Sequence, residues 1–447
     1  MSGETGALPL AARPRLKFID MARSIAILMM LEGHFTGSAL ADQYRDDNNW
    51  LFSFWHNLHG LTSPLFFAVT GVVFIYLLSR NTNEPYFQNE RVKKGFGRVR
   101  MLLFWGYLIQ FDLITFIRDT KFGIERAGNM KNAGFFDVIG SWFHDIFVPF
   151  FPVNSGYKAW IFEYHFNWLQ AFHVLQSIGV GIFFLLLIFG IYKLIKKGPL
   201  FLYYLIGALI IFTIYGYMKE HIRLYGVMEG IKTVKDPSAF IPQGAPKFIQ
   251  NMMYGEFSDF SFVRYSGYVL MGGMIGAIIR QYEHNVRKWW FGLTFILIGL
   301  FFNIAGQTIF RELDQFTDWI GLTANGCFEN NATGFARLGQ VAMLLGSLML
   351  IDANFKINAP LFLKMGQTTF PVYIVHVIIL YGGIIGIGLD PSKWYHRQFD
   401  PWIAVSISAF FITVFVIMVK YIEPLTEIYY KVFGIFYPKR RKKLRNE

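Results

Sequence analysis

Apolar runs of about twenty residues, separated by short polar connections, repeat from one end of this chain to the other. A hydrocarbon core needs roughly 20 apolar residues per helix. Runs near 18–39, 60–79, 100–117, 170–192, 200–218, 262–280, 288–310, 334–352, 366–388 and 401–422 meet that length. They predict an all-α, polytopic membrane bundle of about ten transmembrane helices. The clearest run is SIGVGIFFLLLIFGIYKLIKK, and the weakest, MLLFWGYLIQFDLITFI, contains Asp112. Within 118–169, the stretch FFDVIGSWFHDIFVPFFPV is apolar but too interrupted to span, and reads as a re-entrant or interfacial segment. A second long connection, 219–261, is mixed in charge.

Charge in the connections orients the bundle. Basic residues gather before the first run (Arg13, Arg15, Lys17), after the second (NERVKKGFGRVR), after the fourth (Lys193, Lys196, Lys197), after the sixth (Arg280, Arg287, Lys288), after the eighth (Lys356, Lys364), and in the ending YPKRRKKLRNE. The intervening connections, such as DQYRDDNN and RELDQFTDW, are mixed or acidic. The positive-inside rule then puts both termini in the cytoplasm, in accord with an even number of spans. Residues 1–435 read as one integral domain, and 436–447 as a basic cytoplasmic tail that sets topology or meets anionic lipid.

Composition narrows the class further. Of the 447 residues, 54% are hydrophobic and 16% charged, against about 25% charged in a soluble chain. The net charge of +12 does not point to nucleic acid, because the basic residues sit in short runs between apolar segments. Cys327 is the single cysteine, so an intrachain disulfide and a cysteine-based metal site are both excluded. No cleavable small-residue site follows the first apolar run, which reads as a retained span. The triplet Asn331–Ala332–Thr333 is a glycosylation sequon on what reads as an outer loop.

Polar residues inside the runs carry the candidate chemistry. With the orientation above, His34, His56, His59, His173 and His376 fall at outer ends or in outer halves of spans, and His144 and His165 in an outer loop. Any one alone is as well read as an interfacial hydrogen-bonding residue; the shared side is the informative feature. There is no HExxH and no acidic cluster with ligand spacing, so no metal is expected. A histidine general base suits proton transfer near neutral pH. In the first run, MARSIAILMMLEGHF, Arg23 and His34 are eleven residues apart, which on an α-helix is three turns plus about 20° and roughly 16 Å. They share a face with Asp20, which can pair with Arg23. Glu32 lies about 200° from His34 and points elsewhere.

These segments resemble the transmembrane acyltransferase superfamily, which includes the acyltransferase type 3 and heparan-alpha-glucosaminide N-acetyltransferase-like proteins. Its hallmark, an arginine followed after ten residues by a histidine on the first span, is matched by Arg23 and His34. Ser24 stands where that family usually has glycine. SPLFFAVTGVVFIY resembles its second span, and HVLQSIGVGI a Val-Leu-Gln-Arg-Ile-Gly type stretch, with Ser177 in place of arginine. LKMGQTTFPVYIVHVIIL resembles the late Gly-x-x-Ser/Thr…Tyr-x-x-His span, Gly366 here being followed by Gln367.

The resemblance implies transfer of an acyl group from cytoplasmic acyl-CoA, with acetyl-CoA the first candidate, to a hydroxyl or amine of an outward-facing carbohydrate or glycolipid. The catalytic histidine maps to His34 in one branch and to His56 in the other, with His59 an alternative to His56. Arg23, Arg98 and Arg100, beside Lys93 and Lys94, are available to hold CoA phosphates. Arg23 is equally well read as a structural partner of Asp20, and Lys93 to Arg100 as topology signals. His173, Gln176 and His376 are the expected substrate-binding set. Such a chain would be multi-pass in the plasma membrane, with membrane lipid around it and its oligomeric state open. The rival readings are a secondary transporter using the same His and Arg residues for a proton or substrate path, and a structural protein whose polar residues glue helices. The expected arrangement is one cavity open to the outer face that gathers His34, His56 and His376, with Arg23 at its inner end.

Overall fold

The structure is a computed structural model that describes residues 16–81, 84–114, 117, 172–225, 260–322 and 326–424. The expected re-entrant segment, His144, His165, the basic tail and most of 219–261 lie outside the described residues. In chain order the helices are α1 (Lys17–Ala39), α2 (Trp50–His59), α3 (Thr62–Leu78), α4 (Glu90–Leu108), α5 (Val174–Ile195), α6 (Leu200–Tyr225), α7 (Phe262–Gln281), α8 (Trp289–Trp319), α9 (Glu329–Asn354), α10 (Pro360–Gln367), α11 (Thr369–Tyr381) and α12 (Pro401–Lys420). Among the described residues, β structure is confined to two isolated bridges.

Seven stretches are long and apolar enough to cross a membrane, counting α2 with α3 as Trp50–Leu78, and α10 with α11 make an eighth bent by 75°. α1 and α4 complete the ten expected segments as helices, but their polar residues keep them below that apolarity. The third run differs from expectation. Asn89 caps α4 by accepting from Arg91 N at 2.8 Å and Val92 N at 3.3 Å, so the helix starts within the basic stretch. It ends before Asp112, which instead bridges to Ile384. The ninth run is broken into two helices. Pro371 has no N–H to continue the ladder from α10, and the Thr368 hydroxyl donates to Lys364 O at 2.9 Å, closing that helix.

Packing relies on small residues, because hydrocarbon supplies no hydrophobic drive between helices. α3 and α7 approach until a Cβ on Gly272 would sit 1.9 Å from Ala68 O, and one on Gly71 2.0 Å from Val269 O. α8 and α9 meet through Gly292 against Gly346 and Gly299 against Gly339, two contacts seven residues apart on each helix. α1 is packed against α3, α9, α10, α11 and α12. At its C-terminal end the loop after α11 clamps it: Arg397 N donates to Ser38 O at 2.8 Å, Phe399 N to Ala39 O at 3.0 Å, and Tyr395 Oη to Phe35 O at 3.1 Å.

Asn331 corrects the sequon. It lies within α9, is 5% exposed, and its amide donates to Phe212 O at 2.8 Å and Cys327 O at 2.9 Å. It staples α9 to α6 and presents nothing to a glycosyl carrier.

Gly272→Leu should be destabilising by at least 1–3 kcal/mol, about the cost of overpacking, read as a lower midpoint of thermal unfolding in detergent. Gly97→Ala, where nothing lies within 4 Å of the added carbon, should leave that midpoint unchanged or slightly raised.

Candidate functional site

Three histidines from three helices meet at one place. His34 comes from α1, His59 from the last residue of α2, and His376 from α11. The His34 and His376 rings stack at 5.4 Å, and His59 stands edge-on to His34 at 6.1 Å. Tyr381, at the end of α11, shares a hydrogen bond of 2.8 Å between its hydroxyl and His34 Nδ1. All four line a cavity of about 1010 Å³, together with Thr62, Ser63, Gln110, Asp112 and His173. The buried His59 Nδ1, Thr62 Oγ1 and Gln110 Oε1 make no hydrogen bond to protein. The lining therefore keeps polar atoms available for a polar ligand.

A second cavity, about 190 Å³, abuts the first. Arg23, Arg98, Thr70, Gln367 and Thr369 line it, and Phe66 and Tyr373 line both cavities. Arg23 pairs with Asp20 at 3.9 Å and donates to Thr369 Oγ1 at 3.4 Å, at the α10–α11 break. Arg23 is thus braced by Asp20 and also lines this cavity. Ser24 has a structural use. Its hydroxyl lies 2.9 Å from Asp20 O and 2.5 Å from Phe362 O, and accepts from Gly366 N at 3.0 Å, which docks α10 on α1.

Several expected site residues lie elsewhere. His56 is exposed and bound to Asp47 at 3.1 Å, outside the cavity, so His59 takes the place expected for it. The reason is local: His59 ends α2 over the cavity, while His56, one turn earlier, points outward. Arg100 is exposed and does not line the smaller cavity. Gln176 is fully buried; its Oε1 accepts from His173 N at 3.3 Å, and its side chain packs on Gly106. It braces the start of α5 rather than the cavity wall. Among the described residues, no group of three or more His, Cys, Asp or Glu is placed to hold a metal ion.

Tyr381, Thr62 and the support around His59 were not anticipated. Glu32 Oε1 accepts from Trp55 Nε1 and from Thr36 Oγ1, each at 2.9 Å. The Trp55 ring lies 5.6 Å from that of His59 and 5° from parallel. Gly33 leaves room for His59, because a Cβ there would meet Nδ1 at 1.9 Å. Glu32 therefore faces away from His34 along α1 yet fixes, through Trp55, the imidazole on the other side of it. The only local hint was a charged residue inside an apolar run, which normally requires a partner.

The ten-residue arginine–histidine spacing that carries the resemblance to acyl-transfer enzymes lies on a buried first helix, with a cavity at its histidine end. The chain matches the family model Acyl_transf_3, described as an acyltransferase domain, over residues 16–422, and belongs to that family. It is a multi-pass membrane acyltransferase. No curated protein and no solved structure matches it significantly.

Glu32→Ala should remove two hydrogen bonds to a charged acceptor, each worth roughly 1.5–3 kcal/mol, and release Trp55. The expected result is a lower unfolding midpoint and reduced acyl transfer. Glu32→Gln keeps an acceptor oxygen for Trp55 and should recover most of both, measured by tryptophan-detected unfolding and by initial rates.

Proposed function

We propose that the protein moves an acyl group, in the first instance acetyl, from acyl-CoA to a hydroxyl or amine of a carbohydrate acceptor, with His34 as general base. The observation that carries this reading is the His34–Tyr381 pair in the large cavity, joined through Phe66 and Tyr373 to a smaller cavity lined by two arginines. The loop charges put the arginines toward the cytoplasm and the histidines toward the outer face. Donor and acceptor then approach from opposite sides, and the plasma membrane is the setting in which such an acceptor is outside the cell.

The chemistry follows from the positions. With His34 Nδ1–H donating to Tyr381 Oη, Nε2 carries the lone pair that takes the acceptor proton. The acceptor oxygen or nitrogen attacks the thioester carbonyl carbon. The oxyanion that forms needs donors, and Thr62 and Ser63, the first residues of α3, stand in the cavity wall to supply them. Collapse breaks the C–S bond, and the proton on His34 goes to the departing thiolate, giving acylated acceptor and CoA. Arg23 and Arg98 supply positive charge for CoA phosphates. His376, stacked on His34, holds that ring in place.

Purified full-length protein in detergent should release free thiol from acetyl-CoA in the presence of a sugar acceptor. His34→Ala should lower that rate by about 10²–10⁴, the usual worth of a positioned base, whereas His56→Ala should leave it near wild type. Arg23→Gln should raise the KM for acetyl-CoA more than it lowers kcat. An unchanged rate in His34→Ala would sink the assignment of the base.

A further inference from the structure

A second group of cations lies just outside the histidine cavity. Arg264 is in the first turn of α7, where its guanidinium stacks over Tyr215 at 5.3 Å and Tyr265 at 5.9 Å. Arg337 is on α9, donating to Asn57 O at 2.7 Å and Gln340 Oε1 at 3.0 Å. Arg264 is among the charges acting on Arg337, and no carboxylate of the described residues acts on either guanidinium. That sets them apart from Arg23, Arg45, Arg280, Arg311 and Arg397, each of which has a carboxylate within 4.0 Å.

Two like charges inside a membrane bundle, neither ion-paired with a carboxylate of the described residues, are costly. Cation–π contact and neutral acceptors offset part of that cost and leave several N–H groups without an acceptor. Tyr268 adds a further donor. Its side chain is 1% exposed, its hydroxyl makes no well-aligned hydrogen bond to protein, and it lies against Gly334, one turn before Arg337. Tyr268 is one turn after Arg264 on α7, and its hydroxyl lies beside that guanidinium.

The position is as informative as the charge. Asn57 and Gly60, which Arg337 contacts, close the end of α2 that carries His59. Phe260 lines the histidine cavity and packs on Tyr265 at 4.9 Å. We infer that Arg264, Arg337 and Tyr268 bind an anionic group, a carboxylate or a phosphate ester, on the carbohydrate acceptor. The reacting hydroxyl or amine is a neutral part of the same molecule that reaches into the cavity beyond. Calling the ligand the acceptor rests on the acyltransfer reading; the anion site itself rests on charge and position.

Binding measured without acyl-CoA separates the two. Full-length protein in detergent is titrated calorimetrically with glucuronate, with glucose 1-phosphate and with glucose. The charged sugars should bind saturably and glucose should not. Arg264→Gln should weaken anion binding by about ten- to hundredfold, the worth of a charge-assisted hydrogen bond, and Arg264→Lys by less. Arg337→Gln should do the same, with helicity by circular dichroism confirming that it folds. Equal binding of glucose and glucuronate, or wild-type anion affinity in Arg264→Gln, overturns the inference. So does competition by phosphatidylglycerol vesicles with no binding of either charged sugar. A protein that binds glucuronate but transfers no acetyl group would overturn the acyltransfer reading and leave the anion site standing.

Discussion

Polar groups on a helix surrounded by hydrocarbon must find their hydrogen bonds inside the protein, and α1 is where that constraint is heaviest. Asp20, Arg23, Ser24, Glu32, His34 and Thr36 all lie on one helix. Each direction they point has been given a partner: Asp20 and Thr369 for Arg23, Phe362 and Gly366 for Ser24, Trp55 for Glu32, Tyr381 for His34. Satisfying them requires α2, α10 and α11 to wrap this one helix. The bend at Thr368 lies between the segment that docks on Ser24 and the one that brings His376 to His34.

The glycine contacts make that wrapping feasible. Helices that meet backbone to backbone, as α3 does with α7 and α8 with α9, form a rigid frame with little side-chain volume between them. Larger side chains are then left for the cavity walls. Phe66, on the framed helix α3, is held firmly enough to divide the two cavities. The frame and the site are therefore one construction: close packing in one place leaves open volume in another.

Much of this was legible in the residues. Apolar length found the ten segments, and helical periodicity put Arg23 and His34 on a common face. What could not be read was what reaches that face from far along the chain. Tyr381 lies 347 residues from His34, and nothing local marks it as its partner. The choice between His56 and His59 depended on where α2 stops, a one-turn question that composition does not answer. Asp112 looked like a flaw in a span because the cap at Asn89 that shifts the helix earlier lies well before the apolar run that starts at Met101. Asn331 looked like an exposed sequon because Phe212, 119 residues away in sequence, reaches it only in the fold.

The partition formed by Phe66 and Tyr373 has a mechanical consequence. Each ring lines the larger and the smaller cavity at once, so a rotation of either one reshapes both volumes together. A ligand that pushes a ring aside from one cavity is therefore felt in the other, and the two volumes are coupled through a phenylalanine and a tyrosine rather than through the backbone.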